Sequence, residues 1–272
     1  VQIKRVLAKA REKLKERGFG SFWLDGDLIL SHLLNVEREK LYSLLDESIS
    51  EELYQRFFSL IKRREAGEPV AYIVEEKEFM GFSFKVGPNV LIPRPETEIL
   101  VETALSYAEK MDRPAIVDVG AGCGAIAVSL SKLLRNHPKI YATDISERAL
   151  KIAKQNAERL GAEIQFICCD VLSGIDLCVD IILSNPPYVQ TEDIPRYEPK
   201  IALDGGADGL SLYPKIMEEA RRLLKERGLL LLEVGFGQCS KVVEMAERYG
   251  FFTKIAKDLA GIERVIIASW TR

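Results

Sequence analysis

The chain has 272 residues, a formal net charge of −3 and 47% hydrophobic residues. That length suits one large domain plus a small one. No apolar run approaches the ~18 residues of a membrane span, and the slight acidity argues against a dedicated nucleic-acid binder, which carries a basic stripe.

The N-terminal stretch is charged and amphipathic, without the apolar core of a signal peptide. Cys123, Cys168, Cys169, Cys178 and Cys239 show no CxxC spacing. They are expected to be buried reduced thiols in a cytoplasmic protein, with no metal site. His32 and His137 are the only histidines, and HExxH, P-loop and GxSxG patterns are absent, which argues against metal and Ser-His-Asp chemistry.

Residues 1–70 read as a small helical domain. Ile3, Val6, Leu7, Ala10 and Leu14 recur at helical spacing until Gly18 and Gly20. Leu24–Leu34 forms a second helix. Leu53, Phe57, Leu60 and Ile61 mark another, and Ser48-Ile49-Ser50-Glu51 before it reads as a capping box. Residues 71–92, with Phe79, Phe82, Phe84, Val86 and Gly81, read as a β-hairpin linker. Pro95 and the acids after it open a helix running to about Lys110.

From residue 93 to 272 strands and helices alternate. Strands are expected at 115–119, 139–143, 163–168, 179–184, 228–234, 251–257 and 264–270, and helices at 124–134, 147–160, 213–226 and 239–249. The pattern predicts an α/β fold with a mainly parallel sheet covered on both faces. The last two strands, joined by a tight turn at Gly261, must be antiparallel to each other.

Asp118-Val119-Gly120-Ala121-Gly122-Cys123-Gly124 follows the first of these strands and opens a helix. Its glycines permit a tight turn and close approach of a ligand to backbone N–H groups. The loop alone is compatible with a dinucleotide, S-adenosylmethionine or plain strand–helix packing. Asp144 ends the next strand and suits two ribose hydroxyls. Asp170 ends the third, where a carboxylate accepts from an adenine amino group, and Asp118 can orient the loop or a cationic ligand.

The fourth strand, Val179–Ser184, runs into Asn185-Pro186-Pro187-Tyr188. Two prolines fix φ and donate no N–H, so the Asn185 side-chain oxygen and the Pro186 carbonyl can be aimed at one spot. Two acceptors there grip both hydrogens of a planar NH2 group, and Tyr188 can stack on it. Such a grip orients a poor nitrogen nucleophile toward an electrophilic methyl group and stabilises positive charge growing on it.

Together the glycine loop, Asp144, Asp170 and Asn185–Tyr188 resemble a class I S-adenosylmethionine-dependent methyltransferase that modifies amino groups. The segments 91–98 (LIPRPETE), 197–203 (YEPKIAL), 206–210 (GADGL) and 258–265 (DLAGIERV) resemble the HemK/PrmC family, the glutamine N5-methyltransferases of peptide-chain release factors. The resemblance spans nearly the whole chain. It implies a Rossmann-like, mostly parallel seven-stranded sheet with an antiparallel last strand. It implies S-adenosyl-L-methionine bound by Asp118, Gly120, Ala121, Gly122, Cys123, Gly124, Asp144, Asp170, Val171 and Asn185, with S-adenosyl-L-homocysteine as product. Catalysis would fall to Asn185, Pro186, Pro187 and Tyr188. The partner would be a release factor, through its GGQ loop, with no stable nucleic-acid complex and no membrane. Residues 1–70, separate from the cofactor motifs, are read as the surface that recognises the release factor, and the sequence is compatible with a monomer. Arg94 and Glu96 receive no chemical role, an ion pair being at least as good a reading of Arg94. The alternatives are a ribosomal-protein glutamine methyltransferase and an adenine-N6 nucleic-acid methyltransferase.

Overall fold

The computed structural model describes residues 1–270. The chain forms two compact units, Val1–Glu76 and a second beginning at Lys77.

The first unit is helical: α1 (Ile3–Glu16), α2 (Phe22–Leu34), α3 (Arg38–Leu41), α4 (Glu51–Glu65) and α5 (Val70–Val74). The stripe read from the sequence is buried on α1: Ile3, Val6, Leu7, Ala10 and Leu14. It packs with Ile29, Leu30, Phe57 and Ile61. Helix α2 stops where Asn35 turns left-handed at φ 53°. The expected capping box is a single cap instead: Ser50 Oγ accepts from the Leu53 N–H at 3.1 Å, and Glu51 is already the first helical residue. Two buried acids inside this unit are paired, Asp25 with Arg64 and Asp27 with Arg11, each at 2.7 Å.

The hairpin is shorter than the expected 71–92. It consists of β1 (Glu76–Phe79) and β2 (Phe82–Lys85), preceded by α5, which uses residues expected to be extended. Val70, Ala71, Tyr72 and Ile73 complete a helical turn whose buried Tyr72 and Ile73 outweigh their β-propensity.

The second unit continues with a 3-10 turn Pro95–Thr97, α6 (Glu98–Ala108), β3 (Ala115–Val119), α7 (Ala125–Leu133), β4 (Lys139–Asp144), α8 (Glu147–Leu160), β5 (Gln165–Cys168), β6 (Val179–Ser184), α9 (Tyr213–Leu223), β7 (Leu224–Glu233), α10 (Cys239–Arg248), β8 (Phe252–Lys257) and β9 (Glu263–Ser269). The seven-stranded sheet has the order β5-β4-β3-β6-β7-β9-β8. All pairs from β5 to β7 are parallel, and β9 runs antiparallel to both its neighbours. Strand β3 is buried along its whole length, as expected for a central parallel strand. Helix α9 ends at Leu223, three residues before the expected Glu226, because Leu224 already pairs with Val179 in the sheet.

The strand order reverses between β3 and its two neighbours, β4 on one side and β6 on the other. Open α/β sheets bind ligands at such a switch point, outside the carboxyl ends of the strands. Val119 pairs with Ser184, and Ser184 Oγ donates to the Val119 carbonyl at 2.8 Å. The glycine loop and the NPPY segment therefore leave the sheet side by side. Among the described residues, no helix is long and apolar enough to cross a membrane.

Candidate active site

Gly120, Gly122 and Gly124 all take positive φ, at 78°, 55° and 83°. A Cβ at Gly120 or Gly122 would meet open space, whereas at Gly124 it would press on Ala153 at 3.1 Å. The first two glycines thus leave room for a ligand, and the third lets α7 pack against α8.

Most of the loop's N–H groups already have acceptors within the protein, contrary to the sequence expectation. Gly120 and Ala121 both donate to the Thr143 carbonyl at 2.9 Å, and Gly124 donates to Ala121 at 2.7 Å. Gly122 donates to Asp144 Oδ2 at 2.9 Å. At the start of α7, Asp118 Oδ2 accepts from Ala127 at 3.1 Å, so a carboxylate already occupies the position where a helix would attract a phosphate. A pyrophosphate would find few free donors here and a carboxylate already at the helix start. A ligand that is cationic or neutral fits this chemistry better than a dinucleotide does.

A cavity of about 260 Å³ lies against this loop, lined among others by Gly120, Gly122, Asp144, Asp170, Val171 and Asn185. Asp144 uses one lone pair of each oxygen on backbone, Gly122 through Oδ2 and Ser146 through Oδ1 at 2.8 Å; the remaining lone pairs suit ribose hydroxyls. Desolvation raises its pKa. Asp170 sits beyond the end of β5 rather than on it, half-exposed and paired with Lys215. Val171 adopts φ 54°, a strained conformation for a β-branched residue. Its carbonyl accepts from the Thr143 hydroxyl at 2.7 Å, which helps hold it there.

Asp118, Ala121, Cys123 and Gly124 are not among the cavity-lining residues. Asp118 is wholly buried beneath the loop. Burial first, then the Asp144 charge, push its pKa up to about 7, and its Oδ1 has no hydrogen-bond partner. Burial likewise pushes the Cys123 thiol up to about 12. All five cysteines are free, but only Cys123 and Cys239 are buried. Cys168 and Cys178 are exposed because they lie at the ends of strands rather than within the core.

A second cavity, of about 200 Å³, is lined by Asn185, Pro186 and Tyr188 together with Leu91, Arg94 and Leu203. Asn185 and Pro186 line both cavities. Among the described residues no hydrogen bond uses the Pro186 carbonyl. Asn185 Nδ2 donates to Thr97 Oγ1 at 3.0 Å, which turns Oδ1 the other way. Tyr188 donates to Glu233 Oε1 at 3.1 Å, and Gln238 Nε2 donates to the Tyr188 carbonyl at 3.0 Å. Arg94 pairs with the buried Glu198 at 2.5 Å.

Sequence reasoning missed Thr97, Glu233, Gln238 and Glu198. A signal existed for Glu233: it ends the apolar run Leu229–Leu232, as Asp118 and Asp144 end theirs. Thr97 lay inside a segment already singled out, without a role.

Residues 5–74 match the PrmC N-terminal domain family, and residues 95–258 match the methyltransferase small domain family. A release factor glutamine methyltransferase of Moorella thermoacetica is 36% identical over 98% of this chain and 98% of its own length. One of Geobacter sulfurreducens is 38% identical over 97% of this chain and 95% of its own. The chain belongs to the release factor glutamine methyltransferase family. A Pyrococcus furiosus methyltransferase crystal structure superposes with a TM-score of 0.57 at 20% identity, over 80% of this chain and all of that one. That likeness shows the class I methyltransferase fold.

Proposed function

We propose that this enzyme transfers a methyl group from S-adenosylmethionine to the side-chain amide nitrogen, N5, of the glutamine in a release factor's GGQ loop. The observation that carries the reading is that Asn185 and Pro186 line both cavities. One cavity lies against the glycine loop and Asp144, and the other is bounded by Tyr188. Names borne by relatives of near-full-length similarity support the same substrate.

S-adenosylmethionine supplies an electrophilic methyl carbon on a sulfonium. Its holders would be Asp144, Asp170, Val171 and the Cβ-free surface of Gly120 and Gly122. The spent N–H groups and the carboxylates nearby suit its cationic centre. Asn185 Oδ1 and the Pro186 carbonyl accept both N–H bonds of the glutamine amide. They orient its nitrogen and stabilise positive charge as it develops there. The C–S bond breaks to leave neutral S-adenosylhomocysteine, and the methylated nitrogen, now strongly acidic, loses one proton to solvent. Tyr188 packs against the amide plane. Fixing both partners in line contributes through effective molarity. The helical unit is read as the recognition module for the release factor. A substrate in the translation machinery supports a cytoplasmic location for the enzyme.

The test is incubation with labelled S-adenosylmethionine and a release factor, its GGQ Gln→Ala form, or DNA, with mass spectrometry to locate the label. Label is expected only on the intact GGQ glutamine; label on DNA would overturn the reading. Asn185→Ala is expected to abolish transfer while calorimetric cofactor affinity stays close to that of the unaltered enzyme.

A further inference from the structure

An amide side chain has a donor end and an acceptor end of nearly the same shape. Only the acceptor end of Asn185 can grip a substrate N–H. What decides which end points into the substrate cavity lies one and two residues further back.

Asn185 Nδ2 donates to Thr97 Oγ1 at 3.0 Å, and Thr97 is buried. A hydroxyl has a single proton. Behind Thr97 stands Glu233, 1% exposed at the end of β7. Its Oε1 accepts from Tyr188 at 3.1 Å, and the Thr97 and Tyr188 hydroxyls both favour its charged form. Thr97 lies near enough to act on that charge but makes no full hydrogen bond to Glu233 in this structure, and Glu233 Oε2 has no partner.

While Glu233 is a carboxylate, the Thr97 proton turns toward it. Only lone pairs then remain for Asn185, which must offer its NH2 to Thr97 and its oxygen to the substrate. When Glu233 is protonated, its own proton can go to Thr97 Oγ1. The Thr97 proton is then released toward Asn185, and the amide can turn over. Its NH2 would face the substrate's NH2, donor against donor, and the grip is lost.

We propose that Glu233 is a positioning residue which, through Thr97, holds the Asn185 amide with its oxygen toward the methyl-accepting nitrogen, and does so only as a carboxylate. The proposal rests on the function assigned above. The groups facing Glu233 are Tyr188, Arg264 on β9 and Glu96 beside Thr97, and Tyr213, whose hydroxyl donates to the Glu233 backbone carbonyl at 2.9 Å. Arg264 favours the carboxylate and Glu96 opposes it, but burial dominates and pushes the pKa up to about 7. The device therefore changes state close to neutral pH.

The experiment measures kcat on a release factor at saturating S-adenosylmethionine from pH 5.5 to 9. It compares the unaltered enzyme, Glu233→Gln, Thr97→Val, Thr97→Ser and Asp118→Asn. The unaltered enzyme is expected to gain roughly tenfold in kcat as pH rises through about 7. Glu233→Gln flattens that step, and Thr97→Val lowers kcat roughly tenfold or more with the cofactor KM within about twofold. Thr97→Ser recovers most of the loss. Asp118→Asn retains the step, separating Glu233 from the other acid that titrates near neutrality. In parallel, the side-chain amide resonance of Asn185 in a 15N spectrum, assigned by its loss in Asn185→Asp, should shift with a midpoint near 7 in the unaltered enzyme and stay still in Glu233→Gln. An undiminished pH step in Glu233→Gln, or full kcat in Thr97→Val, overturns the proposal. If the unaltered enzyme leaves the release factor unmethylated, the assigned function fails, and the resonance alone decides: no pH-linked shift overturns the positioning role.

Discussion

Asn156 clamps Lys85 from both sides. Its Oδ1 accepts from the Lys85 N–H at 2.8 Å, and its Nδ2 donates to the Lys85 carbonyl at 2.9 Å. The same Nδ2 reaches the Cys123 carbonyl at 2.9 Å. One fully buried side chain on α8 thus joins the end of β2 to the glycine loop. Asn156→Ala strands three backbone groups at once, at a cost of about 2–4 kcal/mol. A lower urea midpoint with an unchanged slope is the expected result, together with weaker cofactor binding. A loss below about 0.5 kcal/mol would show that these groups find other partners.

Gly124 and Gly120 share a positive φ and differ in their surroundings. A methyl at Gly124 meets Ala153 Cβ at 3.1 Å and Cα at 3.2 Å, the latter being backbone. Gly124→Ala adds this clash to the ~1–2 kcal/mol of left-handed strain. Gly120→Ala carries the strain alone and points its methyl into the open side of the loop. Thermal melts should therefore rank Gly124→Ala well below Gly120→Ala. Calorimetry on the folded Gly120 variant should show reduced S-adenosylmethionine affinity.

The alternation of elements was legible because parallel strands such as β3 and β6 are continuous apolar runs, and α1 and α8 carry clean helical stripes. The candidate site was legible where a polar residue ends such a run beside a cavity, as Asp144 and Asn185 do, whereas Asp118 gave the same signal and lies buried beneath the loop. Spending of the loop's N–H groups on Thr143 and Asp144 was not, since it depends on β3 and β4 lying adjacent. Asn156 gave no signal either: mid-helix in Lys154-Gln155-Asn156-Ala157 it looks like any polar position. Its importance comes from a residue far away in the chain. The left-handed Val171 runs against local preference, and only its tertiary setting holds it.

The ion pair of Arg94 with Glu198 predicts a selective effect on the protein substrate. The Glu198 side chain is 7% exposed and that of Arg94 37%, and Glu198 Oε2 has no partner of its own. Arg94→Met leaves a charge buried and unpaired, which costs about 3 kcal/mol. Arg94 lines the cavity with Tyr188, away from the glycine loop. The release-factor KM should rise several-fold while cofactor affinity stays unchanged. Adding Glu198→Gln to Arg94→Met removes the orphaned charge and should restore part of the stability. A strictly additive double variant would mean that the two residues do not interact.

Asp118 predicts the pH dependence of stability. Its pKa in the folded protein, about 7, lies above its ordinary value of 3.8 because burial penalises the charge. A raised carboxylate binds its proton more tightly when folded. The resulting stability is present in full below about pH 4 and is lost as pH rises toward 7, with no further change above. Glu233 is raised to about 7 for the same leading reason and acts with the same sign. Asp118→Asn keeps an acceptor for the Ala127 N–H and removes the ionisation. Relative to the unaltered protein, the variant should gain roughly 2–3 kcal/mol between pH 5 and pH 8, read from urea midpoints at the two values. A residual slope of the same sign should survive in the variant, because Glu233 still titrates. Parallel curves for the two proteins would place the Asp118 ionisation outside this range and remove it from the pH response.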